Sequence, residues 1–193
     1  MPTAAQPKLK AGRVYRTRDL AAWGANPTRL AKRLLDEGRL RQLAHGLFYS
    51  PEASRFGPVP PEDTAIMRAF LGDDDFLITG PPRWNALGLG ATATFPVTLV
   101  YNRKRSGEFT FGGRRFLLRR VGFPRSPSAE WFATDLLEHY DMAGLSLSQL
   151  EKALVRALAT GRFDRGRLEE MARGYATKST QALVERTLSA TAQ

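Results

Sequence analysis

There is no cysteine anywhere in the 193 residues. That excludes disulfide frameworks and thiolate zinc sites, and it accords with a reducing cytoplasm. No apolar run approaches the roughly 18 residues needed to span a bilayer. The N-terminus, MPTAAQPKLK, is polar and holds two prolines, which excludes a secretory signal. A soluble, cytoplasmic protein without a membrane partner is the expectation. Enzyme signatures are scarce as well. GLG at 88–90 lacks the third glycine and the helix of a dinucleotide site, and no Walker-type phosphate loop occurs. Asp135, Glu138 and Asp141 recur at i, i+3, i+6, but no strand-borne carboxylate–x–Lys follows, as a metal nuclease requires. GDDD at 72–75 reads as a solvated loop, because adjacent side chains alternate in direction and no histidine lies near. Of the two histidines, His139 reads as a satisfied core or surface residue and His45 as a phosphate-contact candidate. No catalytic residue, metal ligand or cofactor is therefore nominated, and a non-enzyme is expected.

Positive charge, by contrast, is plentiful and unevenly spread. The formal charge is +10. Residues 1–57 carry 11 Lys+Arg against 4 Asp+Glu, residues 58–127 carry 10 against 6, and residues 128–193 carry 8 against 9. A polyanionic partner requires such a concentration at one end, although an RNA-binding surface gives the same sign.

The stretch 26–49, NPTRLAKRLLDEGRLRQLAHGLFY, organises the rest. Asn26 caps a helix, Pro27 takes its first position, and Gly38 ends it in a left-handed conformation. On a 3.6-residue period Leu30, Ala31, Leu34 and Leu35 share one face, with Thr28, Arg29, Lys32, Arg33 and Asp36 opposite. LRQL and GLFY read as short strands, with Ala44, His45 and Gly46 at the turn between them. Upstream, Thr17 is read as the cap of a shorter helix, RDLAAW, that breaks at Gly24, and Val14 to Arg16 as a strand pairing with the hairpin. Helix, turn, helix with a basic outer face, then hairpin is the order of a winged helix-turn-helix. An amphipathic helix with basic residues outside is usually a solvated helix. The short preceding helix, the turn and the basic hairpin favour DNA, because a solvated helix needs none of them. Thr17, Arg18, Thr28, Arg29, Lys32 and Arg33 are the groove-facing candidates, and Arg39, Arg41 and His45 are placed to grip the flanking backbone. A full winged helix has one more helix before this point. Either the 4–9 region supplies a short version or a later helix covers that face.

After Tyr49 the run SPEASRFGPVPPED is rich in proline and reads as an extended boundary between domains. A helix from Pro61 to about Leu71 follows, with Ala65, Ile66, Ala69 and Phe70 as its buried face. FLITG reads as a strand, PPRWNAL as a short helix, and 95–121 as further strands with turns at RKRSG and GG. Arg103, Lys104 and Arg105 sit in one of those turns, and Arg114, Arg115, Arg119 and Arg120 flank the last strand. These seven read equally as one basic rim offering phosphate contacts or as a charged sheet edge that blocks aggregation. From Pro127 the chain is helical, with Ser126, Ser146, Ser148 and Asp164 as caps. The fold expected is α+β: a winged helix-turn-helix over 12–56, then, over 60–193, a mixed α/β domain with a small antiparallel sheet and C-terminal helices.

VYRTRDLAAWG, the run RLLDEGRLRQLAHGLFYSP and the run FLITGPPRWNALGLGATATFPVTLVYN resemble the AbiEi-type family of antitoxins and transcriptional regulators. The resemblance covers 13–121 well and the helical remainder loosely. It implies the antitoxin of a type IV toxin–antitoxin pair, one that represses its own promoter by binding inverted repeats in double-stranded DNA. The implied partner is a nucleotidyltransferase-like toxin. The first helix is abbreviated here and His45 stands where the family commonly has Arg, so wing contacts do not carry over directly. A protein-interaction module and an RNA-binding or RNA-processing factor are the alternatives.

Overall fold

The computed structural model describes residues 7–92 and 96–191. The chain is α+β, with small sheets and eight helices among the described residues. It folds as two compact units. The first comprises the chain up to Phe76 together with Gly107–Phe116, and the second comprises Leu77–Ser106 and Leu117–Gln193.

The first unit begins with β1 (Val14–Arg16), a short 3-10 helix (Thr17–Trp23) and α1 (Pro27–Asp36), followed by β2 (Arg41–Ala44) and β3 (Leu47–Tyr49). The strands form an antiparallel sheet in the order β1-β3-β2, with Val14 opposite Tyr49 and Arg41 opposite Tyr49 on either side of the central strand. Gly46 makes the β2–β3 turn possible, since its φ of 71° lies in the left-handed region that side chains resist. Tyr15, Leu20, Leu30, Ala31, Leu34, Leu40 and Phe48 form one small core. Leu43, Leu47 and Tyr49 are buried too, while Arg41 and His45 are exposed.

Several local readings are corrected. Thr17 is the first residue of the 3-10 helix and Arg16 precedes it as cap, its amide donating to Asp19 Oδ2 at 2.7 Å. The proline-rich run is not simply extended: it forms a second hairpin, β4 (Glu52–Ser54) with β5 (Gly57–Val59). Part of the 4–9 region lies outside the described residues; the face in question is met by α2 (Asp63–Leu71), which packs on β1. Its buried residues are Ile66, Met67 and Leu71, with Ala65, Ala69 and Phe70 only half-buried. Arg16 fixes this contact, its guanidinium donating to the carbonyls of Ala69 and Phe70 at the C-terminal end of α2.

The first compact unit runs through the proline-rich stretch and α2 as far as Phe76. Residues 107–116 join the first unit through named contacts. Gly112 donates its amide to Leu43 O at 2.9 Å, and Arg114 donates to Asp63 Oδ1 at 2.6 Å and to Pro61 O at 2.5 Å. Phe70 meets Phe109 and Phe111 with ring centroids 4.8 and 4.7 Å apart.

β6 (Phe76–Thr79), β7 (Val97–Asn102), β8 (Gly107–Phe111) and β9 (Arg114–Arg120) make a four-stranded sheet in the order β6-β7-β9-β8. The second unit adds α3 (Pro81–Asn85), α4 (Ala129–Glu138), α5 (Leu147–Ala159), α6 (Arg165–Tyr175) and α7 (Lys178–Ala190). Its core is large, built around Trp84, Leu99, Trp131, Leu136, Leu150, Leu154 and Leu168. Ser146 and Asp164 cap α5 and α6 as read, accepting from Gln149 and Arg167. α4, however, is capped by Ser128 instead of Ser126, because Pro127 still lies outside the helix. No helix among the described residues is long and apolar enough to cross a membrane.

Candidate nucleic-acid interface

α1 is built by strictly local means. Asn26 Oδ1 accepts the Arg29 amide at 2.9 Å, satisfying one of the donors a helix start leaves open, and Pro27 occupies the first turn. Leu30, Ala31 and Leu34 go into the core; Thr28, Arg29, Lys32 and Arg33 are exposed on the opposite side. Arg29, Lys32 and Arg33 line an open groove of about 520 Å³ with Trp23, Asn26 and Asp36. Arg29 and Lys32 make no ion pair among the described residues. Arg33 reaches Glu37 at 3.6 Å, an exposed pair one turn on. Such a pair contributes roughly 0.3–0.5 kcal/mol, so Arg33 is displaced from it at little cost.

The β2–β3 turn stands beside the 3-10 helix, since the Thr17 amide donates to Gly46 O at 3.0 Å. Thr17 thereby joins the two elements through its backbone. Arg18 is exposed, 3.9 Å from Asp19. Arg41 and His45 are exposed on the strand and the turn. Arg39 does not belong with them. It is half-buried, donates to Pro7 O at 2.6 Å and lies 3.7 Å from Glu37, so it ties the chain's start to the end of α1.

The seven later basic residues do not act alike either. Arg103, Lys104, Arg105, Arg119 and Arg120 belong to the second unit, Arg114 and Arg115 to the first. Arg114 is engaged by Asp63 and Pro61, as above, and Arg115 lies 3.2 Å from Glu108. In the second unit Asn102 orders the 103–105 turn: its Oδ1 accepts the amides of Lys104 and Arg105, both at 2.9 Å. Arg103 packs over the Phe123 ring at 4.9 Å and donates to Phe123 O at 3.2 Å. All three turn residues are exposed.

One buried polar arrangement has no signal in the local sequence pattern. Asp135 on α4 is buried and accepts from Thr79 Oγ1 at 2.5 Å, Trp84 Nε1 at 2.8 Å and Tyr101 Oη at 2.6 Å. Burial, and then the adjacent Asp135 carboxylate, push the Tyr101 phenol above the ordinary tyrosine range, so it stays protonated and keeps donating. His139 stacks on Trp84 with centroids 5.6 Å apart, and its Nδ1 lies 2.9 Å from Asp135 O. Tyr101, Asp135 and His139 edge a cavity of about 260 Å³ whose rim carries Arg119, Glu138 and Tyr175. The i, i+3, i+6 spacing signalled a carboxylate ladder, but Asp141 lies past the end of α4 and Asp135 points into the core. Among the described residues no group of three histidines or acidic residues could hold a metal ion.

No protein-family model and no curated protein matches the chain. Among solved structures, the fold is similar to that of the Rv2827c protein from Mycobacterium tuberculosis. The identity is 16%, the match covers 100% of this chain and 81% of that one, and the TM-score is 0.50. At that identity the likeness concerns the fold alone, and it supports an α+β architecture running the length of the chain.

Proposed function

We propose that the first unit is a winged helix-turn-helix that binds double-stranded DNA, and that the chain is a transcriptional repressor. The observation that carries this reading is the exposed row Thr28, Arg29, Lys32 and Arg33 on α1, opposite Leu30, Ala31 and Leu34 and flanked by a short helix and a basic hairpin turn. An α-helix fits the major groove, where an arginine fork meets guanine O6 and N7 with two hydrogen bonds. In this reading Arg29, Lys32 and Arg33 read or grip the groove and Thr28 approaches the backbone beside them. Arg18, Arg41 and His45 hold phosphates, and the Thr17 backbone keeps the first helix and the turn in register. Lys104 and Arg105, with Arg103, supply further phosphate contacts from the second unit.

The resemblance to AbiEi-type regulators extends the proposal. The chain is then the cytoplasmic antitoxin of a type IV pair, binding inverted repeats in its own promoter and counteracting a nucleotidyltransferase-like toxin. A toxin gene of that type in the neighbouring reading frame supports this extension; an unrelated neighbour removes it and leaves the repressor reading intact.

Anisotropy titration of the full chain against a duplex selected from a random-sequence library, and against a scrambled duplex, tests the DNA reading. Arg29→Ala is expected to weaken binding to the selected duplex by about 1–3 kcal/mol and to the scrambled one much less. Failure to enrich any duplex, or equal affinity of wild type and variant for both, removes α1 from the groove.

A further inference from the structure

The β4–β5 hairpin turns most of its side chains to solvent. Glu52, Ala53 and Ser54 are exposed along the whole of β4, and Val59 is exposed at the end of β5. At the tip stands Phe56, 85% exposed, the most exposed large hydrophobic residue among those described. A hairpin tip with no structural duty favours polar residues, since an aromatic side chain held in water forgoes the burial that makes it valuable. Yet this tip is held firmly. Ser54 Oγ donates to Gly57 O at 2.7 Å and accepts the Phe56 amide at 3.2 Å, while Gly57 closes the turn at a φ of 104°. The Arg55 guanidinium lies 4.6 Å from the centre of the Phe56 ring, covering one of its faces. The hairpin thus displays a preorganised aromatic–cation pair on its outermost turn.

Its place in the chain decides which partner fits. β3 begins at the His45–Gly46 turn, and the second hairpin leaves from its other end, past Ser50 and Pro51. From Leu47 to Phe56 the chain spans at most about 30 Å. That is less than one turn of duplex, about 34 Å. Under the DNA reading, that reach lets the tip meet the minor groove next to the major groove that α1 enters. Minor grooves attract arginine through their negative potential, and apolar wedges inserted there unstack a base step and kink the duplex.

We propose that the Arg55–Phe56 tip is a minor-groove wedge: Phe56 inserts at a base step while Arg55 leaves the ring and enters the groove or meets a phosphate. This rests on the DNA-binding reading of the first unit and adds to it a bent product and a second contact point. Duplex DNA is favoured over a protein partner because the aromatic is paired with a cation and because the exposed Arg29, Lys32, Arg41 and His45 belong to the same unit.

The test uses the full chain and the selected duplex, end-labelled so that energy transfer reports its bend. The wild type is expected to kink the duplex by some 20–90°. Phe56→Ala is expected to abolish most of that bend and to weaken binding about tenfold, as loss of one base–aromatic stack does. Phe56→Leu, which keeps an apolar wedge, is expected to retain most of the bend. Because Phe56 is exposed, all three proteins should melt at the same temperature. An unchanged bend and affinity for Phe56→Ala, with Arg29→Ala still defective, overturns the wedge and leaves the DNA reading standing. A dimer in the wild type that becomes a monomer in Phe56→Ala, with DNA affinity unchanged, also overturns it and assigns the tip to a protein contact. If neither Phe56→Ala nor Arg29→Ala alters binding, both readings fall.

Discussion

The two compact units reverse the expectation drawn from charge along the chain. Residues 1–57 hold the steepest excess of cations. Yet the first unit as folded carries 14 Lys+Arg against 10 Asp+Glu, and the second carries 15 against 9. The reason is α2 and the loop after it, which bring Glu62, Asp63, Asp73, Asp74 and Asp75 into the first unit. What separates the units is where charge stands and what holds it. In the first, Arg29, Lys32, Arg41 and His45 stand exposed around a small apolar core, while Arg16, Arg39 and Arg114 are drawn into bonds that tie elements together. In the second, the notable polar groups lie inside, with Asp135 accepting from three side chains within a much larger core. Net charge sets non-specific attraction; a site needs unengaged groups aligned on one surface.

The contrast can be broken most forcefully at Asp135. Asp135→Ala leaves Thr79, Trp84 and Tyr101 without their acceptor in a buried setting, and urea unfolding is expected to show a loss of about 3–5 kcal/mol. A loss below about 1 kcal/mol would show that the second unit does not depend on its buried carboxylate.

In the first unit the corresponding structural change is Arg16→Ala, which removes a charged fork from the carbonyls of Ala69 and Phe70. A loss of about 1.5–3 kcal/mol is expected, with amide exchange quickened at the C-terminal end of α2. Exchange unchanged in α2 would detach that helix from β1. Gly46→Val probes the same sheet at its turn. A φ of 71° is strained for a β-branched residue, and the added Cβ would lie 3.4 Å from Thr17 Oγ1, so a loss of about 1–3 kcal/mol is expected.

Glu130 sharpens the comparison through pH. Burial raises its pKa, but bonds from the Asp164 amide and the Ser128 side chain outweigh that and leave it lowered from 4.5. A lowered carboxylate stabilises the fold fully above its unfolded value and loses that contribution as pH falls through the folded one. Wild type should therefore lose stability below about pH 4.5, and Glu130→Gln should flatten that acid limb. Identical acid limbs would exclude Glu130 as the titrating group.

The smallest expected effect lies on the second unit's turn. Under the DNA reading each neutralised phosphate adds about 0.9 to the salt dependence of log affinity. Replacing Arg103, Lys104 and Arg105 together by Ala should flatten that slope by about two to three while preserving sequence preference. An unchanged slope would confine DNA contact to the first unit.

What the sequence determined by itself is local. Asn26, Gly38 and Gly46 specify a helix start, a helix end and a turn through hydrogen bonds and backbone sterics that involve only near neighbours. Leu30, Ala31 and Leu34 face inward because a 3.6-residue period leaves them no other side. Ser146 and Asp164 were legible for the same reason, and Ser126 was misread because the deciding proline tolerates either side of a helix start. The tertiary structure decided which cations remain available. Arg39 meets Pro7 across 32 residues, Arg114 meets Asp63 across 51, and Asp135 meets Thr79 across 56. It likewise decided that α2 and residues 107–116 belong with the first sheet. Periodicity reports which face of an element is apolar, whereas a side chain's polar partner depends on chain packing over distances that no local pattern encodes.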